Sequence, residues 1–224
     1  MKVSIVIPVL NEAQQLPRVL DCLRSARERG VEVIVVDGGS KDGTPAAAVR
    51  AGARVVSSPK GRSRQMNAGA RIAAGDVLLF LHVDTLLPEC ADQLIEAAIG
   101  DQRRVWGRFD VSIRGRPWML RVIAVLMNWR SRISGIATGD QAIFVARSAF
   151  ESVGGFPDQA LMEDIELCKR LRVLSPPVCL RDRAVTSGRR WESHGVWRTI
   201  VLMWRLRWAY WRGVPASVLA DRYE

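Results

Sequence analysis

Lysine is scarce in this chain of 224 residues: of its 33 basic side chains only Lys2, Lys41, Lys60 and Lys169 are lysine. The formal charge of +10 is therefore almost all guanidinium, a planar group suited to bidentate contact with phosphate or carboxylate. Arginine-rich codon usage is the plainer explanation of the same excess. Metal-type cysteine spacing is missing too. Cys22, Cys90, Cys168 and Cys179 form no C-x-x-C pair, which argues against a structural zinc site or a disulfide framework and predicts a reduced, cytosolic compartment. No apolar run reaches the roughly 18 residues of a spanning helix. The N-terminal run is too short and too β-branched for a signal peptide, and Pro8 breaks it. The expectation is a protein that starts folding at Met1 and stays inside the cell. Internal repeats and low-complexity linkers are also lacking, and the length suits one well-buried core better than two. With 48% hydrophobic and 25% charged residues, disorder has little room.

What is present is an alternation of strands and helices. Residues 3–9 are a continuous β-branched run, followed by Asn11 and by Leu16, Val19, Leu20 and Leu23 at helical spacing. Residues 31–36 are a second such run, ending at Asp37 before a glycine-rich turn and an alanine-rich helix from Pro45. Val55 and Val56 mark a short third strand, and residues 77–81 are the strongest strand of all. The alternation predicts an α/β fold with a mostly parallel central sheet flanked by helices. In such sheets ligands collect at the carboxyl ends of the strands, which here carry Pro8, Asn11, Glu12, Asp37, His82 and Asp84. In the second half, residues 105–113 read as a β segment, 118–129 as an apolar helix, 142–145 as a strand and 163–171 as a helix with an acidic first turn.

Several of these residues carry two readings. Asp37 ends a buried strand before two glycines, where it either points at a ligand or closes an Asx turn. Asn11 and Glu12 share that ambiguity with helix N-caps. His82 and Asp84, two apart in an extended segment, face the same side and offer an imidazole and a carboxylate to a cation such as Mn2+ or Mg2+, with a diphosphate supplying further oxygens. The plainer reading is that Asp84 starts the next helix. Glu163 and Asp164 stand at a helix start, where a carboxylate can be held as a general base or can simply complement the helix dipole.

Taken together and in order, the segments IPVLNE (7–12), VVDGGSKDGT (35–44), GRSRQMNAGA (61–70), GDVLLFLHVDT (75–85), GDQAIFV (139–145) and GGFPDQALMEDIEL (154–167) resemble family 2 glycosyltransferases of the GT-A fold. The likeness is to the short bacterial transferases found beside radical-SAM and selenium-domain genes. It implies a glycosyltransferase that moves a sugar from a nucleotide-diphosphate donor to a hydroxyl or carboxyl acceptor, with inversion and with a divalent metal, Mn2+ or Mg2+. By that resemblance Pro8, Glu12 and Asp37 border the nucleotide, with Arg64 and Asn67 along it and its phosphates. His82-Val-Asp84 replaces the family's Asp-x-Asp, which makes Asp84 and His82 metal ligands, and His194 would close over the same metal. Asp164 would be the catalytic base. Asp140, Gln141 and Glu163 would border the acceptor, and Arg190 with Trp191 the leaving diphosphate. The Gln-x-x-Arg-Trp signature of processive members lacks its glutamine at residues 186–188, so a single transfer is expected.

The catalytic domain is expected over residues 1–191, with residues 192–224 as an amphipathic helical appendage. Its residues 196–211 carry Trp197, Trp204, Trp208 and Trp211 among Arg198, Arg205 and Arg207. Such a helix either lies in the interface of an anionic membrane, which suits a lipid-linked acceptor, or packs on the domain with snorkelling arginines. Two rival functions are a sugar-nucleotide pyrophosphorylase and a basic membrane- or nucleic-acid-binding module. The first lacks its glycine-rich triphosphate loop at Asn11-Glu12-Ala13. The second leaves the strand-end carboxylates without a use, so no nucleic acid partner is expected.

Overall fold

The computed structural model describes residues 1–101, 103–220 and 222. The first half reads β1 (Val3–Val9), α1 (Leu16–Cys22), α2 (Arg24–Glu28), β2 (Glu32–Asp37), α3 (Thr44–Arg50), β3 (Arg54–Ser57), α4 (Arg62–Ile72) and β4 (Val77–Phe80). Then come β5 (Thr85–Leu86), α5 (Ala91–Ile99), β6 (Trp106–Arg114), α6 (Met119–Ser134), a single 3-10 turn (Gly139–Gln141) and β7 (Phe144–Ala146). The chain continues through α7 (Arg147–Ser152), α8 (Glu163–Leu174), β8 (Val178–Ser187), α9 (Arg189–His194), α10 (Val196–Trp211) and α11 (Ala216–Ala220).

One sheet runs in the order β3-β2-β1-β4-β7-β6-β8-β5. Its first four strands are mutually parallel, as the strand–helix alternation requires. The second half is mixed: β7 is antiparallel to β4 and β6, β8 is parallel to β6, and β5 is antiparallel to β8.

Period-two alternation sends the two faces of β1 into two cores. Val3, Ile5, Ile7 and Val9 meet Leu16, Val19 and Leu20 of α1 and Ile95 of α5. Val6 meets Met66 of α4, and that core extends to Phe150 of α7 and to Leu167 and Leu171 of α8. The α4 contact is close: a Cβ at Gly69 would lie 2.4 Å from Val6 Cγ1 and 2.9 Å from Val36 Cγ2. The two cores cover opposite faces of the sheet, and its parallel strands bring their carboxyl ends to one rim, which carries the site.

The expected boundary at residue 191 falls inside α9. Beyond it, Leu206 of α10 and Leu219 of α11 form a small core with Leu161 and Met162, directly before α8. Among the described residues no helix is long and apolar enough to cross a membrane.

Candidate active site

The rim begins with two loops sewn together by side chains. The Asn11 amide donates to Ser40 Oγ (2.8 Å), Glu12 N–H to Thr44 Oγ1 (2.8 Å), Ala13 N–H to Asp42 Oδ2 (3.0 Å) and Lys41 N–H to Asn11 Oδ1 (2.8 Å). Beneath them, Gln65 Nε2 donates to the carbonyls of Val9 and Val36, each at 2.8 Å, which ties β1 to β2 at their carboxyl ends. Asp37 is buried and its Oδ2 accepts from Gly39 and Ser40 N–H, both at 3.0 Å. That is the Asx-turn geometry. Glu12 is raised above the ordinary carboxylate range by burial, opposed by Arg189 and reinforced by Asp84 and Asp42, so these charges share one space.

At the end of β4 the chain presents His82 and Asp84, and a third group arrives from far along the sequence. Asp140, in the 3-10 turn, has its Oδ1 3.5 Å from His82 Nδ1. One ligand atom from each of His82, Asp84 and Asp140 lies within 4.8 Å of the others. Gly139 makes this meeting possible, since a Cβ there would fall 2.1 Å from His82 Cε1. Only a glycine lets the backbone reach the ring so closely. Burial would raise Asp140, but His82 and the cations Arg62 and Arg130 outweigh it and hold the carboxyl below its ordinary value. Two carboxylates and one imidazole are a hard-to-borderline donor set, which fits Mn2+ or Mg2+ with remaining positions open to substrate oxygens.

The same turn holds Asp164. Gly139 N–H donates to its Oδ2 at 3.0 Å and Ile165 N–H to its Oδ1 at 2.8 Å. Burial first, and the charge of Glu163 second, push its pKa up to about 6 against the pull of these amides and of Arg62. Glu163 is itself buried, with Oε1 3.3 Å from Arg62 Nη1.

The structure therefore gathers Glu12, His82, Asp84, Asp140, Glu163 and Asp164 along one rim. Other expected residues lie apart from it or are engaged elsewhere. Arg64 forms a bidentate pair with Asp158, at 2.7 and 2.9 Å. Asn67 gives Nδ2 to the Phe156 carbonyl and takes the Phe156 amide on Oδ1. Buried Gln141 donates to Asn128 and Ser131 of α6. Trp191 packs on the cluster of Val111, Ile113 and Leu120, and Arg190 lines a groove beside α10. His194 is exposed, with Nδ1 2.8 Å from Ser193 Oγ, outside the His82 group.

Sequence reasoning did not single out Arg62 or Arg130. Arg130 has Nε and one terminal nitrogen buried without a hydrogen-bond partner, and the charges of Asp164 and Asp140 bear on it against its desolvation. As one of three arginines in α6, Arg130 gives no signal of its own, because the carboxylates that need it arrive from other elements.

This architecture is shared with solved glycosyltransferases of the GT-A fold. The mannosyltransferase PcManGT from Pyrobaculum calidifontis, in complex with GDP-Man and Mn2+, superposes with a TM-score of 0.60 at 23% identity, over 82% of this chain and 56% of that one. TarS of S. aureus in complex with UDP gives 0.66 at 20% identity, over 84% and 60%. The chain belongs to glycosyl transferase family 2, whose model matches residues 4–150. An uncharacterized glycosyltransferase of Mycobacterium tuberculosis strain H37Rv is 34% identical over 139 residues, 58% of this chain and 59% of its own. The probable glycosyltransferase YdaM of Bacillus subtilis is 28% identical over 243 residues, 97% of this chain and 56% of its own. The chain thus spans a little over half the length of these curated relatives.

Proposed function

We propose that this chain transfers one glycosyl unit at a time from a nucleoside-diphosphate sugar to a hydroxyl or carboxyl acceptor, with inversion at the anomeric carbon. The observation that carries the reading is the joint held by Gly139. Its amide fixes the Asp164 carboxylate at 3.0 Å while the next residue, Asp140, completes the group with His82 and Asp84. A base and a cation site are thereby set side by side.

Asp164 accepts the proton of the acceptor hydroxyl, the oxygen forms its bond to the anomeric carbon, and the bond from that carbon to the donor phosphate breaks with its electron pair leaving on the diphosphate. Where the acceptor is already a carboxylate, no proton needs removing. His82, Asp84 and Asp140 would hold Mn2+ or Mg2+, which when bound supplies charge stabilisation to the departing diphosphate. Glu12 and Asp37, at the ends of β1 and β2, border the nucleotide in this reading, and the Arg189 charge near Glu12 favours its phosphates. Solved relatives of the fold hold GDP-Man with Mn2+ and UDP, which supports a nucleoside-diphosphate donor. The missing glutamine of the processive signature supports single transfer.

Calorimetry with nucleoside diphosphates and their sugars, with and without Mn2+, tests the reading. We expect metal-dependent binding of a nucleotide by the wild type and its loss in Asp84→Asn. Binding that ignores both metal and substitution would refute the assignment.

A further inference from the structure

The helix α10 is packed on one side and bare on the other. Thr199 and Leu206 are buried, and Leu202, Met203 and Tyr210 rest on the cluster of Leu161, Met162 and Leu219. The opposite side, at steps of four, three, four and three residues, is Trp197, Val201, Trp204, Trp208 and Trp211, all between 52% and 79% exposed. A water-facing helix side is ordinarily polar. Here its whole centre is apolar. At 3.6 residues per turn, Arg198, Arg205 and Arg212 follow one border of this stripe and Arg207 the other.

The helix α6 repeats the arrangement. Leu120, Ile123, Ala124, Asn128 and Ser131 face inward. Starting from its N-cap, Trp118, Val122, Val125, Leu126, Trp129 and Ile133 face outward, between 43% and 78% exposed. Neither helix contains an aspartate or glutamate. They belong to one apolar cluster, in which Val196 and Ile200 of α10 rest against Leu120, Ile123 and Ala124 of α6. Beside the α10 stripe a groove of about 940 Å³ is lined by Arg190, Arg198, Arg205 and Arg222 over Leu202 and Leu206.

We propose that the outward faces of α10 and α6 dock on an anionic phospholipid bilayer. Tryptophan rings favour the headgroup level, where one edge is apolar and the other wet, and the bordering arginines meet lipid phosphates. Charge decides against a second copy of this chain as the occupant. Two copies pressed together through α10 would set its arginine borders against one another, with no carboxylate on that helix to offset them. The docking does not rest on the transferase reading, since it is a property of the folded chain without substrate. It has a consequence for the site, however: Leu206 packs on Leu161 and Met162, so a docked α10 holds the start of α8, and with it Asp164, near the bilayer.

Vesicle flotation with the full chain tests this, with phosphatidylcholine alone and with phosphatidylcholine mixed with phosphatidylglycerol. The wild type is expected to float with the mixed vesicles, to be released by salt, and to show a blue shift of tryptophan emission. The pair Arg198→Gln, Arg205→Gln is expected to weaken partitioning roughly 30-fold, at about a factor of five per arginine. The pairs Trp204→Ser, Trp208→Ser and Trp129→Ser, Ile133→Ser are each expected to weaken it by about tenfold or more. All six side chains are exposed or border the groove, so melting temperatures are expected to hold, and circular dichroism checks this. A wild type that stays in solution with mixed vesicles overturns the proposal, as does partitioning that none of the pairs changes. A dimer in sedimentation equilibrium that Trp204→Ser, Trp208→Ser dissociates, without vesicle binding, assigns the face to a second copy.

Discussion

Asp164 carries its charge where the surroundings resist it. Burial and Glu163 lift its pKa to about 6, while Arg62 and the amides of Gly139 and Ile165 pull the other way, and Arg130 stands near on α6. Its proton is therefore held more tightly in the folded chain than on an ordinary aspartate, whose pKa is 3.8. This group favours the fold most below that value, and the contribution is lost as pH rises through about 6. Replacing Asp164 by asparagine is expected to raise the melting temperature at neutral pH, because the resisted charge is gone, while lowering kcat by about 10²–10⁴ as a lost base does. Thermal scans beside steady-state rates check both signs. In the wild type, kcat/KM is expected to fall on the acid side as pH drops through about 6, since the base must be unprotonated to act. A flat profile across that range would remove Asp164 from the role. Gly139→Ala is expected to abolish Mn2+-dependent nucleotide binding with little change in circular dichroism, because the new methyl displaces the His82 ring and leaves the sheet untouched.

Among the elements, α4 depends on a single small residue. A methyl at Gly69 would collide with Val6 and Val36, so Gly69→Ala is expected to destabilise the fold by about 1–3 kcal/mol, read as a lower midpoint in urea. The contrast between the two halves of the sheet shows what the sequence makes legible. The parallel strands β1, β2 and β4 are largely apolar runs buried on both faces, and they stand out without any partner being known. The strand β8 did not stand out. Its middle is Arg181, Asp182 and Arg183, all exposed, and its pairing with β6 shifts register between Phe109 and Asp110, so no clean alternation marks it. Strand ends holding Glu12, Asp37, His82 and Asp84 were readable for the same reason as the strands. Asp140 was read as bordering the acceptor, and its meeting with His82 was not legible, since it depends on a backbone approach 57 residues further along the chain, at Gly139.

Across the whole molecule, the residues after α9 behave as part of the fold's support. Leu206 is buried against Leu161 and Met162 at the start of α8. Leu206→Ala is expected to cost about 2–5 kcal/mol in unfolding free energy and to lower kcat as well, since the cavity lies behind the residues that carry Glu163 and Asp164. A loss of stability with unchanged kcat would separate the two effects. The sewn rim has a consequence of a different kind. Asn11, Glu12, Ala13 and Lys41 each spend an amide hydrogen on a side chain of the opposite loop, so neither loop can lift without releasing the other's protons to solvent. In deuterated water these four amides would report one shared opening free energy, and this side of the rim would open as a single cooperative unit.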